Sequence, residues 1–230
     1  FNPSGDKFKS YFIDSSSIGS VTAMSIEGGK VWIADSKGGL YSVTENSDIQ
    51  EQVKIIGNRP EGKITGMISG VFGYLWMTDG DELYVSAAGK LNLIKTAGGY
   101  SLEGLHSIAS DRQGKYWAAN DLGLLEVAGD QSKLHLSEII EAPFKLTGLV
   151  IDTGGIIWAA TFGKGIIRYD PVRMKARIIN SSDGLINDNV LALSLRDSRL
   201  WAATLGGASR LTIEKGDVSQ IISFNKDNGL

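Results

Sequence analysis

Residues 152–171 read Asp152-Thr153-Gly154-Gly155-Ile156-Ile157-Trp158-Ala159-Ala160-Thr161-Phe162-Gly163-Lys164-Gly165-Ile166-Ile167-Arg168-Tyr169-Asp170-Pro171. A turn signal, Asp-Thr-Gly-Gly, opens a short apolar run through Trp158. A glycine-bearing loop at Thr161–Lys164 leads to a second run, Gly165–Tyr169, and Asp170-Pro171 closes it. Short β-rich runs bounded by Gly, Asp and Pro are strand–turn–strand signals. With Leu146–Ile151 before them and Ala176–Ile179 after, they predict four consecutive short antiparallel strands.

The unit recurs along the whole chain. All five tryptophans, Trp32, Trp76, Trp117, Trp158 and Trp201, mark it, at spacings of 44, 41, 41 and 43 residues. The three residues after each are alike: Ile33-Ala34-Asp35, Met77-Thr78-Asp79, Ala118-Ala119-Asn120, Ala159-Ala160-Thr161 and Ala202-Ala203-Thr204. Strand-like runs precede them at Val21–Ile26, Ile64–Ser69, Leu105–Ser110, Leu146–Ile151 and Val190–Leu195. A fixed period in this range is the mark of a repeat architecture. Four strands per repeat of about 42 residues predict an all-β fold, a β-propeller of four-stranded antiparallel blades with five repeats. No run carries a sustained helical stripe, so little or no helix is expected. A large indole beside small Ala residues predicts twisted sheets stacked large against small, with each tryptophan between neighbouring blades.

Composition agrees with this reading and narrows the function classes. The 29 glycines in 230 residues are nearly twice average usage, as many tight turns require. A net charge of −3 from 23 basic and 26 acidic residues gives no basic face, so nucleic acid is not the expected partner. The absence of cysteine excludes disulfides, thiolate catalysis and cysteine-held metals. No apolar run is long enough to span a bilayer as a helix, so membrane attachment is expected only through parts of a parent protein outside this chain. The residues 1–230 are read as a single propeller domain or propeller fragment.

At residue level the repeats resemble the two-component regulator propeller, found in extracytoplasmic sensor regions of bacterial hybrid histidine kinases. Asp183-Gly184-Leu185-Ile186-Asn187-Asp188-Asn189-Val190 resembles the family's leader. Trp158-Ala159-Ala160-Thr161 with Gly165-Ile166 resembles its core, and Tyr169-Asp170-Pro171 its exit; Phe1-Asn2-Pro3 is a variant exit. The second repeat departs most, lacking Asp-x-x-Gly and reading Asp79-Gly80-Asp81 after its tryptophan. The resemblance implies a periplasmic or extracytoplasmic sensor, often tuned to carbohydrate, with a histidine kinase elsewhere in the parent and a homodimer formed through it. It also implies a larger parent propeller. Phe1–Ile13 reads as the end of a preceding repeat and Asp227-Asn228-Gly229-Leu230 as the start of another, so a piece of a longer array is expected over a closed five-blade ring. An antibiotic-cleaving lyase of related fold carries a Trp-Phe-Thr-Glu strand that this sequence lacks.

Little in the sequence points to catalysis. The Asp-x-x-Gly turns supply one carboxylate each, too few for a calcium cage, and are read as hairpin turns. His106 and His135 have no metal-ligand spacing, and His106, on an innermost strand, is read as a hydrogen-bonded packing residue. No Gly-x-Ser-x-Gly elbow or phosphate-cradling loop is present. Ser15-Ser16-Ser17, Ser181-Ser182, Asp79/Asp81 and Asp48/Glu51 are read as solvated loop residues. No catalytic residue, cofactor or metal is expected. Loops joining second to third strands should open on one face with the interblade leaders, including Asn187, Asp188 and Asn189. Lys37, Asp79, Asn120, Phe162 and Lys164 there are the candidate contacts for an oligosaccharide or other small polar ligand, offering ammonium, carboxylate, amide and ring. The expected function is a non-catalytic sensor. The alternatives are a propeller lyase or hydrolase acting on polysaccharide and a purely structural interaction module.

Overall fold

The computed structural model describes residues 19–27, 30–44, 51–52, 56–57, 63–70, 73–79, 81–87, 90–96, 102–130, 133–141 and 145–227. The expected strand over 1–13, the Ser15-Ser16-Ser17 loop, Asp48, Gly80 and residues 228–230 lie outside them. Five sheets, each with four antiparallel strands, follow one another along the chain as the blades of a β-propeller. Blade 1 is β1 (Val21–Glu27), β2 (Lys30–Asp35), β3 (Leu40–Thr44) and β4 (Glu51–Gln52). After β5 (Ile56–Gly57), blade 2 runs through β6 (Ile64–Gly70), β7 (Gly73–Thr78), β8 (Leu83–Ala87) and β9 (Lys90–Leu93). After β10 (Lys95–Thr96), blade 3 runs through β11 (Ser107–Ser110), β12 (Tyr116–Ala119), β13 (Gly123–Asp130) and β14 (Lys133–Glu141). Blade 4 is β15 (Leu146–Ile151), β16 (Ile157–Thr161), β17 (Ile166–Asp170) and β18 (Lys175–Ile179). Blade 5 is β19 (Val190–Arg196), β20 (Arg199–Thr204), β21 (Gly207–Glu214) and β22 (Asp217–Phe224). The helical content of the described residues is one 3₁₀ turn, Ser181–Asp183.

Two details differ from the expected four-strand unit. The segments β5 and β10 pair in parallel with β9 and β14, so blades 2 and 3 each have a fifth strand on the outer edge. In each of these two blades the entering segment therefore pairs with the outermost strand before the innermost strand begins. The second difference is in blade 2. In blades 1, 4 and 5 the residue three after the tryptophan pairs with the start of the first strand: Asp35 with Val21, Thr161 with Leu146, Thr204 with Val190. In blade 2 the pair is Thr78 with Ile64, only two after Trp76. Leu75 therefore holds the register position that tryptophan holds in the other four blades, and Trp76 stands one residue off.

The innermost strands β1, β6, β11, β15 and β19 pack on one another in chain order. Each interface between blades carries its own buried cluster. Ala34, Leu40, Ile64 and Met67 lie between blades 1 and 2, and Leu83, Val85, Tyr116 and Ala118 between blades 2 and 3. Trp117 shares a cluster with Leu149 and Ala159 of blade 4, and Trp158 one with Val190 and Ala202 of blade 5. This is the expected pairing of a large ring with a small neighbour, and Trp117 also meets Tyr169 edge-on across the interface at 6.5 Å. The Asp152 carboxylate builds its turn by accepting from the Gly154 and Ile156 amides, and its other oxygen accepts from the Trp158 indole N–H at 3.2 Å. Gly155 completes that turn at φ +82°, a conformation natural to glycine. At Gly165 a Cβ would collide with the Ile179 carbonyl of the neighbouring strand, which fixes glycine at the start of β17.

Candidate functional site

Each blade ties the loop between its second and third strands to the leader that enters its first strand. The Ser36 amide donates to Ser20 O (2.8 Å), Asp79 to Lys63 O (3.0 Å), Asp121 to Glu103 O (3.4 Å), Phe162 to Lys145 O (2.9 Å) and Leu205 to Asn189 O (3.1 Å). Five repetitions of one bond place these loops and leaders on a common face. Further bonds on this face cross from blade to blade. The Asp81 carboxylate of blade 2 accepts from the Gly104 and Leu105 amides leading into blade 3, at 3.1 and 2.8 Å. The Leu146 amide of blade 4 donates to Asn120 O of blade 3, and Asp188 O in the leader of blade 5 accepts from Gly163 and Gly165 of blade 4.

The five candidate residues all belong to this face, Lys37, Asp79 and Asn120 in the loops of blades 1, 2 and 3 and both Phe162 and Lys164 in that of blade 4. Lys37 and Lys164 are exposed, and their backbone amides are held by Asp35 Oδ1 and Thr161 Oγ1. Asp79 is exposed and accepts from the Lys63 amide at 2.7 Å. Phe162 is 47% exposed, unusual for a ring held in a β-bridge, here with Asn189. Asn120 differs: it is buried, and its Oδ1 accepts from the Leu122 and Gly123 amides. It shapes its loop from within, as Asp35 does in blade 1 and the Thr161 and Thr204 hydroxyls do in blades 4 and 5. The repeat column Asp35, Asn120, Thr161, Thr204 carried this signal, since all are turn-capping residue types.

Inside the face lies a feature the sequence did not disclose. The first strands of blades 1, 2, 4 and 5 each carry a register shift at one equivalent place, where the ladder skips Thr22, Thr65, Thr147 and Leu191. In blade 3 the equivalent residue is His106, immediately before Ser107, which pairs with Ala119. Such bulges re-aim a side chain out of the regular alternation. His106 Nε2 lies 2.6 Å from Asp121 Oδ1, and Lys145 Nζ of blade 4 lies 3.4 Å from the same oxygen. Burial pushes the Asp121 carboxyl up, but the hydrogen bonds from His106 and Lys145 outweigh it and hold it below the usual range. The histidine is thus hydrogen-bonded, as expected, and it also borders a cavity of about 290 Å³. That cavity lies among β1, β6 and β11, lined by Met24, Thr65, Met67, Ser107 and Ile108 among others. Among the described residues, no cluster of three or more His, Asp or Glu is arranged to hold a metal, and no helix is long and apolar enough to cross a membrane.

No protein-family model and no curated protein sequence matches the chain. Solved structures do. The chain is similar to the extracellular domain of the hybrid two-component system BT3049 of B. thetaiotaomicron, with TM-score 0.69 and 18% identity over 93% of this chain and 29% of that one. A similar domain, from BT4673 of the same organism, gives TM-score 0.66 and 13% identity over 92% and 32%. A catalytically inactive virginiamycin B lyase from Staphylococcus aureus, solved with quinupristin, gives 0.68 and 12% over 94% and 73%. The chain spans about a third or less of the two sensor domains. At these identities the likeness is one of fold, and the fold is the propeller.

Proposed function

We propose that this propeller is the extracytoplasmic sensing region of a two-component signalling protein and that it binds a carbohydrate or another small polar ligand without turning it over. The observation that carries the reading is the loop face, where polar side chains stand on loops hydrogen-bonded from one blade to the next. A ligand spanning Lys37, Asp79, Phe162 and Lys164 would bias the relative placement of blades, and differential affinity for two placements is what drives a signal. An exposed phenyl ring on the same loop as the Lys164 ammonium suits stacking and hydrogen bonding with a sugar. The likeness to two extracellular sensor domains supports the same reading. Kinase output and dimer formation are assigned to parts of a parent protein outside this chain. The test is binding of the intact protein to a glycan panel, repeated with Lys37→Ala, Phe162→Ala and Lys164→Ala. At least one glycan should bind and lose affinity roughly tenfold in one or more variants, about 1.4 kcal/mol. Binding that survives all three unchanged removes the loop face.

A second reading, a propeller lyase or hydrolase acting on polysaccharide, has its own observation: the 2.6 Å His106–Asp121 pair beside a cavity. A histidine oriented by a carboxylate is equipped for proton transfer, and the likeness to a lyase fold keeps that reading in play. Turnover of any panel polysaccharide, abolished by His106→Ala, would establish it in place of the sensor.

A further inference from the structure

We infer that the cavity among β1, β6 and β11 is the seat of a single sugar ring, held by His106 and Ser107. The inference rests on the sensor reading above and locates its recognition site below the loop rim. Asp121 is a carboxylate and can only accept, so the hydrogen shared with His106 sits on Nε2. In the neutral ring this leaves Nδ1 as an acceptor. The adjacent Ser107 has the opposite commitment. Its Oγ already accepts from the Leu149 amide at 3.1 Å, so its own hydrogen is available to donate. One acceptor and one donor on consecutive residues match the two neighbouring hydroxyls of a pyranose, each of which gives and takes a hydrogen bond.

The remaining wall fits the other side of such a ligand. Met24, Met67 and Ile108 offer apolar surface for the C–H face of a ring, and Met24 is 64% exposed although it stands on an innermost strand. Methionine is adaptable and tolerates varied shapes. A volume of about 290 Å³ lies just below the range for small-molecule pockets, roughly 300–1,000 Å³, which favours one ring over a long oligosaccharide.

The experiment uses methyl-¹³C methionine in the intact protein, titrated singly with D-glucose, D-galactose, D-mannose, D-xylose, L-fucose, N-acetyl-D-glucosamine and D-glucuronate, with calorimetry in parallel. At least one sugar should shift the Met24 and Met67 methyl signals and leave Met174, exposed in the turn after β17, in place. His106→Gln and Ser107→Ala should each weaken that sugar at least tenfold while the Met174 signal and circular dichroism remain those of the parent. A sugar that binds by calorimetry without moving Met24 or Met67, and is lost in Phe162→Ala or Lys164→Ala, overturns the cavity site and leaves the sensor reading standing. Binding of no sugar at all overturns the carbohydrate reading and the cavity site with it.

Discussion

Blades 4 and 5 carry the same four residues at the same place, Trp158-Ala159-Ala160-Thr161 and Trp201-Ala202-Ala203-Thr204. Their local structure is the same. Trp158 pairs with Val150 and Arg168, Trp201 with Ser194 and Arg210, and both threonine hydroxyls donate at 2.8 Å to the glycine that opens the next strand. Their energetics are not the same. Every residue of β16 is buried, and Trp158 is fully enclosed with its indole N–H bonded to Asp152. Along β20 burial alternates, and Trp201 is 39% exposed, with Phe224 stacked on it at 5.6 Å and the Arg210 guanidinium over it at 5.9 Å. Sequence within a blade sets the strand and its register; the sheet packed on its other side sets what the side chain contributes to stability.

The largest effect expected from this contrast is in paired truncations. Trp158→Ala removes a fully packed indole and should cost about 3–5 kcal/mol. Trp201→Ala should cost less than half of that, because much of its ring is in contact with water already. Chemical denaturation of both variants measures the difference, and equal losses would break the comparison.

A smaller effect separates blade 1 from blades 4 and 5 at the position that caps the loop. Thr161 and Thr204 do not titrate in the working range, whereas blade 1 uses the buried Asp35. Burial pushes the Asp35 carboxyl up, but the Gly19, Gly39 and Lys37 amides and the Tyr41 hydroxyl outweigh it and hold it below the usual range. The folded value thus lies below the unfolded one, which is about 3.9. Its contribution is complete above that value and is lost as pH falls through the folded one. Acid titration should therefore show stability lost below about pH 4, and Asp35→Asn, about 1–3 kcal/mol less stable at neutral pH, should lose less over the same interval.

Much of this fold was legible because its strongest signals are local and repeat: the tryptophans, the Asp-x-x-Gly turns and the Ala pairs. What escaped was pairing. The slip at Trp76 follows from Ile64 meeting Thr78 instead of Asp79, and no residue type announces a one-residue difference in register. The two-residue edge strands Ile56–Gly57 and Lys95–Thr96 are too short to leave a pattern. At the site, the common loop face was legible from the repeat, and His106 was placed on an innermost strand. Its grouping with Asp121 and Lys145 joins residues of two blades and became visible only once the bulges were.

The account turns on ligand being read by the loop face rather than by the opposite turns. Amide hydrogen exchange of the intact protein, with and without whichever panel sugar binds, tests this most directly. Gly104, Leu105, Gly163 and Gly165 donate across blade boundaries on the loop face, whereas Gly114 and Gly155 close turns between first and second strands on the other. Ligand should slow exchange at the first four and leave Gly114 and Gly155 unchanged. Protection confined to Gly114 and Gly155, or none at any of the six despite saturating ligand, would contradict the account.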